Sequence, residues 1–128
     1  MTTHPSNSYS IDPHTSRQFY IDGRWVPPAI AASLPVVNPA TEEVVAHVAR
    51  GSAEDVDRAV AAARAAFAGW STTPPETRAQ VLGNIHALIL ERQEQLAQAL
   101  SLEMGAAIGF ARAMQVPLAA EHVRVARD

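Results

Sequence analysis

Apolar and polar positions alternate over short runs in the first part of the chain and then settle into a helical spacing. Phe19-Tyr20-Ile21 and Arg24-Trp25-Val26 are aromatic and β-branched runs separated by Asp22-Gly23. That pair tolerates the positive φ angles of a type I′ turn, so the spacing predicts a tight antiparallel hairpin. The apolar run Leu34-Pro35-Val36-Val37 leads into Asn38-Pro39-Ala40-Thr41. Pro39 fixes its own φ and holds Asn38 extended, so the chain turns there and a third strand is predicted over Val44 to Val48. Ser52 then opens a helix that runs towards Trp70. Its hydroxyl is placed to accept from the Asp55 amide while the Asp55 carboxylate reaches back, a capping box that also complements the positive helix end. Val56, Val60, Phe67 and Trp70 share one stripe of this helix, which is predicted to pack inward, and Glu54 and Arg58 make an outward pair four residues apart.

Thr73-Pro74-Pro75-Glu76 reads as a second capping box, with Thr73 as the cap and a proline at the first helical position, where its missing N–H has no partner to lose. Val81, Leu82, Ile85, Leu88, Ile89, Leu96 and Leu100 continue a wide apolar stripe up to Gly105, a residue suited to a left-handed closing conformation. A break in that stripe would fall near Arg92 to Glu94. The last helical stretch carries Ile108, Phe110, Ala111, Met114, Leu118, Val123 and Val125, and Pro117 should kink or interrupt it. The predicted fold class is α/β, a hairpin plus a third strand followed by amphipathic helices. No stop signal follows the final helical pattern, which is how an interrupted element reads. Three short strands cannot cover both helical stripes, so some apolar surface is expected to lack its partner layer.

At 128 residues the chain fits one modest domain, able to bury about two thirds of its unfolded surface. Its formal charge is −3 and its arginines are spread along the chain, with no lysine, which argues against a nucleic-acid partner. Residues 1–17 are polar and rich in Ser, Thr, His and Pro without an apolar centre. They read as a disordered lead-in rather than a secretory signal, leaving 18–128 as the folded part. No apolar stretch approaches the roughly 20 residues that span a bilayer, so no membrane partner is expected and a cytoplasmic location is the default.

Taken in order, Phe19 to Val26, then Val37-Asn38-Pro39-Ala40-Thr41-Glu42-Glu43-Val44, then Glu54 to Phe67 with Trp70, resemble the amino-terminal region of the NAD(P)-dependent aldehyde dehydrogenases. Arg78-Ala79-Gln80-Val81-Leu82, Leu96-Ala97 and Glu103-Met104-Gly105 continue the resemblance, which covers the chain from Phe19 to Asp128. It implies the leading part of a nucleotide-binding domain, whose complete enzyme oxidises an aldehyde to a carboxylic acid with NAD or NADP as hydride acceptor and forms a homodimer or homotetramer. Enzymes of this family are several times longer and keep their nucleotide-phosphate and catalytic motifs in later segments. The chain therefore reads as a leading fragment whose partners are the remaining segments of the enzyme. The family's chemistry begins with thiolate attack on the carbonyl. With no cysteine in the chain, no catalytic residue is assigned, turnover by this chain alone is not expected, and neither is cofactor binding to it.

Other candidates read more plainly as structure. Gly105-Ala106-Ala107-Ile108-Gly109 follows a helix rather than a strand, so it is helix punctuation and not a phosphate loop. Asn38-Pro39-Ala40-Thr41 needs no ligand to explain a turn. His4, His14, His47, His86 and His122 provide no i, i+4 pair, so no metal site is assigned. Glu42-Glu43, Glu91 with Glu94, and Glu121 read as hydrated carboxylates rather than acid-base pairs. Glu103 and the backbone at Val36 match positions where some family members hold a structural monovalent cation, but a solvated acid before a closing glycine is the plainer reading. The rival reading from another class is a non-catalytic interaction module, or a remnant, whose Val81 to Leu100 stripe docks into another polypeptide.

Overall fold

The computed structural model describes residues 11–128. Residues 1–10 of the stretch read as a lead-in lie outside that range. Asp12 accepts from the amide of His14 (2.9 Å) and the hydroxyl of Thr15 (2.8 Å) and so starts a single 3₁₀ turn over Thr15–Arg17. Regular structure thus begins ahead of the boundary read from composition.

Strands β1 (Phe19–Ile21) and β2 (Arg24–Val26) pair antiparallel with Ile21 opposite Arg24. Asp22 and Gly23 take φ of 55° and 72°, the two positive angles a type I′ turn requires. Tyr20 and Trp25 meet edge to face across the pair, ring centres 5.4 Å apart. The next apolar run departs from expectation. Ser33–Val37 is itself a strand, β3, paired antiparallel with β4 (Val44–Ala49), so the described residues hold four strands in two separate two-stranded sheets rather than three strands. Pro35 is tolerated because a two-stranded ribbon has only edge strands, and an edge can present the proline where no ladder N–H is needed. In the connecting turn Asn38 Oδ1 accepts from the amide of Ala40 (2.9 Å), and Glu42 adopts a left-handed φ of 60°.

Helix α1 (Ala53–Ser71) carries the capping box read in the sequence. The Asp55 carboxylate accepts from the Ser52 amide (2.9 Å) and hydroxyl (2.8 Å), and from the amide of Ala29 (2.9 Å). Buried at 4% exposure, it ties the loop after β2 to the helix start. Arg58 does not pair with Glu54. Its guanidinium lies 3.4 Å from Asp55 and donates to the carbonyl of Pro27 at 3.2 Å, because the buried carboxylate and a fixed loop carbonyl offer a better-defined site than a mobile surface acid.

Helix α2 (Pro75–Glu91) and α3 (Gln93–Met104) are separated at Arg92, where the break was anticipated. Thr73 does not cap α2. The residue at the cap is Pro74, with Pro75 first in the helix, and the Thr73 hydroxyl donates to the carbonyl of Gly69 at 3.2 Å. The last carbonyls of α1 have no helical partners, so they take the hydroxyl that a helix beginning with proline does not need. Gly105 closes α3 with a left-handed φ of 69°. A Cβ on Gly105 would stand 2.7 Å from Pro39 Cγ, so the glycine is also where the end of α3 closes onto the turn after β3.

Beyond it lie α4 (Ile108–Phe110), a π-helical turn over Ala111–Gln115, and α5 (Val116–Arg127). Pro117 interrupts the stretch as read, and the interruption is that wide turn just before it, which accommodates a missing donor without ending the helix. α5 packs along α2, and α1 touches β1. Among the described residues the buried apolar ones are Ala97, Ala111, Val116 and Ala120, with Ile89, Leu100, Ala106 and Ile108 partly buried and packed against the cluster of Ala97, Ala111 and Val116.

Gly105→Ala is expected to destabilise the chain by about 1–2 kcal/mol from the left-handed φ alone, and further through Pro39. Thermal denaturation of Gly105→Ala and of the double variant with Pro39→Ala checks this: the second change should recover the steric part and leave the φ part.

Candidate functional site

The helical stripe read as inward-facing on α1 faces outward. Val56, Val60, Phe67 and Trp70 are all exposed, Phe67 at 68% and Trp70 at 49%. Much of the α2 and α3 stripe is exposed as well, at Val81, Ile85, Leu88 and Leu96. The periodicity located the apolar faces, but among the described residues they are covered only in part. Among the described residues the buried core holds no large side chain in full. Exposed apolar surface of this extent, on several elements, is more than a self-contained domain ordinarily leaves uncovered.

Two of the carboxylates weighed as acid-base groups, Glu94 and Glu121, are held by arginines. Glu94, at the start of α3, takes Arg112 Nε (2.8 Å) and a terminal nitrogen (2.6 Å) side by side, and accepts from Gln98 at 2.8 Å. These bonds, the Arg112 guanidinium first, hold its carboxyl down at about 2, and the same pairing raises Arg112. Gln93 donates to the carbonyl of Arg112 at 2.9 Å, so two side chains of α3 grip the π turn. Glu121 is likewise lowered, chiefly by its hydrogen bonds from Arg124. A carboxyl held low is a poor proton shuttle near neutral pH. Among the described residues no three His, Asp or Glu side chains gather where they could hold a metal ion.

An apolar concavity lies between α3, the π turn and the start of α5. It measures about 350 Å³ and is walled by Ile89, Leu96, Leu100 and Met104, with Glu103 and Gln115 the polar groups on its lining. Gln115 Oε1 is buried without a hydrogen-bond donor. Sequence reading passed over Gln115, because a lone glutamine on an amphipathic helix carries no signal. The nearby Pro117 marked only the irregular turn.

The family model described as the aldehyde dehydrogenase family matches residues 25–128. The chain belongs to the aldehyde dehydrogenase family. It is similar to a crystal structure of a mutant aldehyde dehydrogenase C from Pseudomonas syringae in complex with NAD+ and octanal, at 76% identity and a TM-score of 0.93, over 95% of this chain and 25% of that one. It is also similar to 3-succinoylsemialdehyde-pyridine dehydrogenase of a Pseudomonas species, 41% identical over 83% of this chain and 22% of the relative. Malonate-semialdehyde dehydrogenase 1 of Geobacillus thermodenitrificans is 48% identical over 67% of this chain and 18% of its own length. The chain thus spans about a quarter or less of the relatives it matches, in the amino-terminal region of the aldehyde dehydrogenase fold.

The stretch from Gly105 to Gly109 does not build a phosphate cradle. A phosphate cradle needs open backbone amides after a strand. The glycine-containing stretch here follows α3, and Gly105 is closed off by Pro39.

For Glu94 the folded state holds the proton less tightly than the unfolded state, so the pair with Arg112 contributes stability above the ordinary glutamate range. That contribution is lost as pH falls from about 4.5 towards about 2. Both partners are about half exposed, so added salt should shrink the effect. A titration of the Glu94 carboxyl by NMR should show it moving back up towards the ordinary range in Arg112→Ala, with the hydrogen bond from Gln98 still holding it somewhat low. The uncovered faces should also bind an apolar reporter dye in the 128-residue chain, measured by fluorescence, with the signal falling when Phe67 and Trp70 are replaced by Ser.

Proposed function

We propose that this chain is the architectural leading part of an aldehyde-oxidising enzyme, in which residues 18–128 buttress the dinucleotide-binding domain and later segments supply the chemistry. The observation that carries this reading is the family match over residues 25–128 together with helices whose apolar faces lie open. In the complete enzyme an aldehyde is oxidised to a carboxylic acid with NAD or NADP accepting the hydride, a cofactor choice supported by the NAD+ bound in the P. syringae relative. The chain has no cysteine, so the thioester route of the family has no nucleophile here. The complete enzyme is read as a cytoplasmic homo-oligomer. The interaction-module reading uses the same open faces, and the family match favours the enzyme.

Purified as 128 residues, the chain should form no reduced NAD or NADP in the presence of octanal. Joined to the remaining three quarters of the P. syringae relative in its unmutated form, with the cysteine that the crystallised mutant replaces by alanine, it should support turnover. Reduction by the short chain alone, followed by absorbance, overturns the reading, as does a joined protein that folds and stays inactive.

A further inference from the structure

The groove between α3 and the π turn is apolar except for two groups that lack partners, and both accept. Gln115 Oε1 is buried with no donor, and Glu103 has no ion pair among the described residues. A purely apolar segment laid over this groove would seal a carboxylate and an amide oxygen away from water with nothing to bond, a costly arrangement. Whatever covers it must therefore bring a donor, and the carboxylate selects a cationic one. A volume of about 350 Å³ leaves room for a long basic side chain whose methylene stem lies along Leu96 and Met104 while its charged head reaches the two acceptors. The last torsion of a glutamine is soft, so Gln115 can turn its oxygen towards that head at little cost.

Resting on the reading above, we propose that this groove seats a later segment of the same enzyme that inserts one arginine or lysine among apolar side chains, donating to Gln115 and pairing with Glu103. Such a contact would fix where the following part of the fold docks on α3 and α5. It makes Gln115 and Glu103 positioning residues at a seam inside the enzyme.

The test compares the 128-residue chain with the same chain joined to the remainder of the P. syringae relative. In the short chain Gln115→Leu should leave Tm unchanged or raise it, because an orphaned acceptor is removed. In the joined enzyme Gln115→Leu and Glu103→Gln should each lower Tm, a reversal of sign for Gln115. If Gln115→Leu is neutral or stabilising in the joined enzyme, the covering segment is apolar and the proposal fails. If it lowers Tm equally in both proteins, the glutamine acts within the chain and the proposal fails. If only Glu103→Gln matters, and withholding sodium and potassium reproduces its effect, a bare cation sits there instead and the proposal fails. Turnover is read separately, so an inactive joined enzyme overturns the functional reading while Tm still reports on the groove.

Discussion

Closeness without bulk governs this chain. α3, the π turn and the start of α5 meet through Ala97, Ala111 and Val116, small or β-branched side chains that let backbones approach. Such a contact packs well, yet it buries little apolar area, and apolar area removed from water is what stabilises a fold. The large side chains, Phe67, Trp70 and Met104 among them, are left on the outside. Two separate two-stranded sheets cannot compensate, since a hairpin by itself is marginal in water. The architecture leaves large apolar side chains without a covering layer.

What the chain does secure locally is geometry. Asp55 gathers the Ser52 cap, the Ala29 amide and Arg58 into one buried polar knot that fixes the approach of the hairpin loop to α1. Gly105 fixes the approach of α3 to the turn after β3. Gln93 and Glu94 fix the π turn through Arg112. Each of these joins elements at a hydrogen-bonded or sterically tight point. They set angles between elements, which a scaffold needs more than it needs a deep core of its own. This division suits a segment that presents surfaces in a defined arrangement.

The local rules were legible wherever one residue's conformational demand dominates. Asp22-Gly23, Ser52 with Asp55, the break at Arg92 and the closing glycine all lie where their chemistry placed them, and Pro117 marked the irregularity before α5. The misses have a common origin. Leu34-Pro35-Val36-Val37 became a strand because a partner, β4, arrived from across the turn. Thr73 gave up the α2 cap because the end of α1 lay within reach of its hydroxyl. Arg58 left Glu54 for a buried carboxylate and a loop carbonyl. In each case another group within reach, a residue one turn back along the chain, a loop carbonyl or a paired strand, outbid the partner first read.

By itself the amino-acid sequence determined the family, the hairpin turn at Asp22-Gly23, the Ser52 cap, the closing glycine and the absence of a cysteine nucleophile, because each depends on residue identity at short range. Which apolar faces are covered, that Gly105 abuts Pro39, and that Gln115 faces a groove beside Glu103 were decided by tertiary structure alone. Periodicity tells which side of a helix is apolar, but burial depends on what else comes to lie against it, and that is a property of the assembled fold.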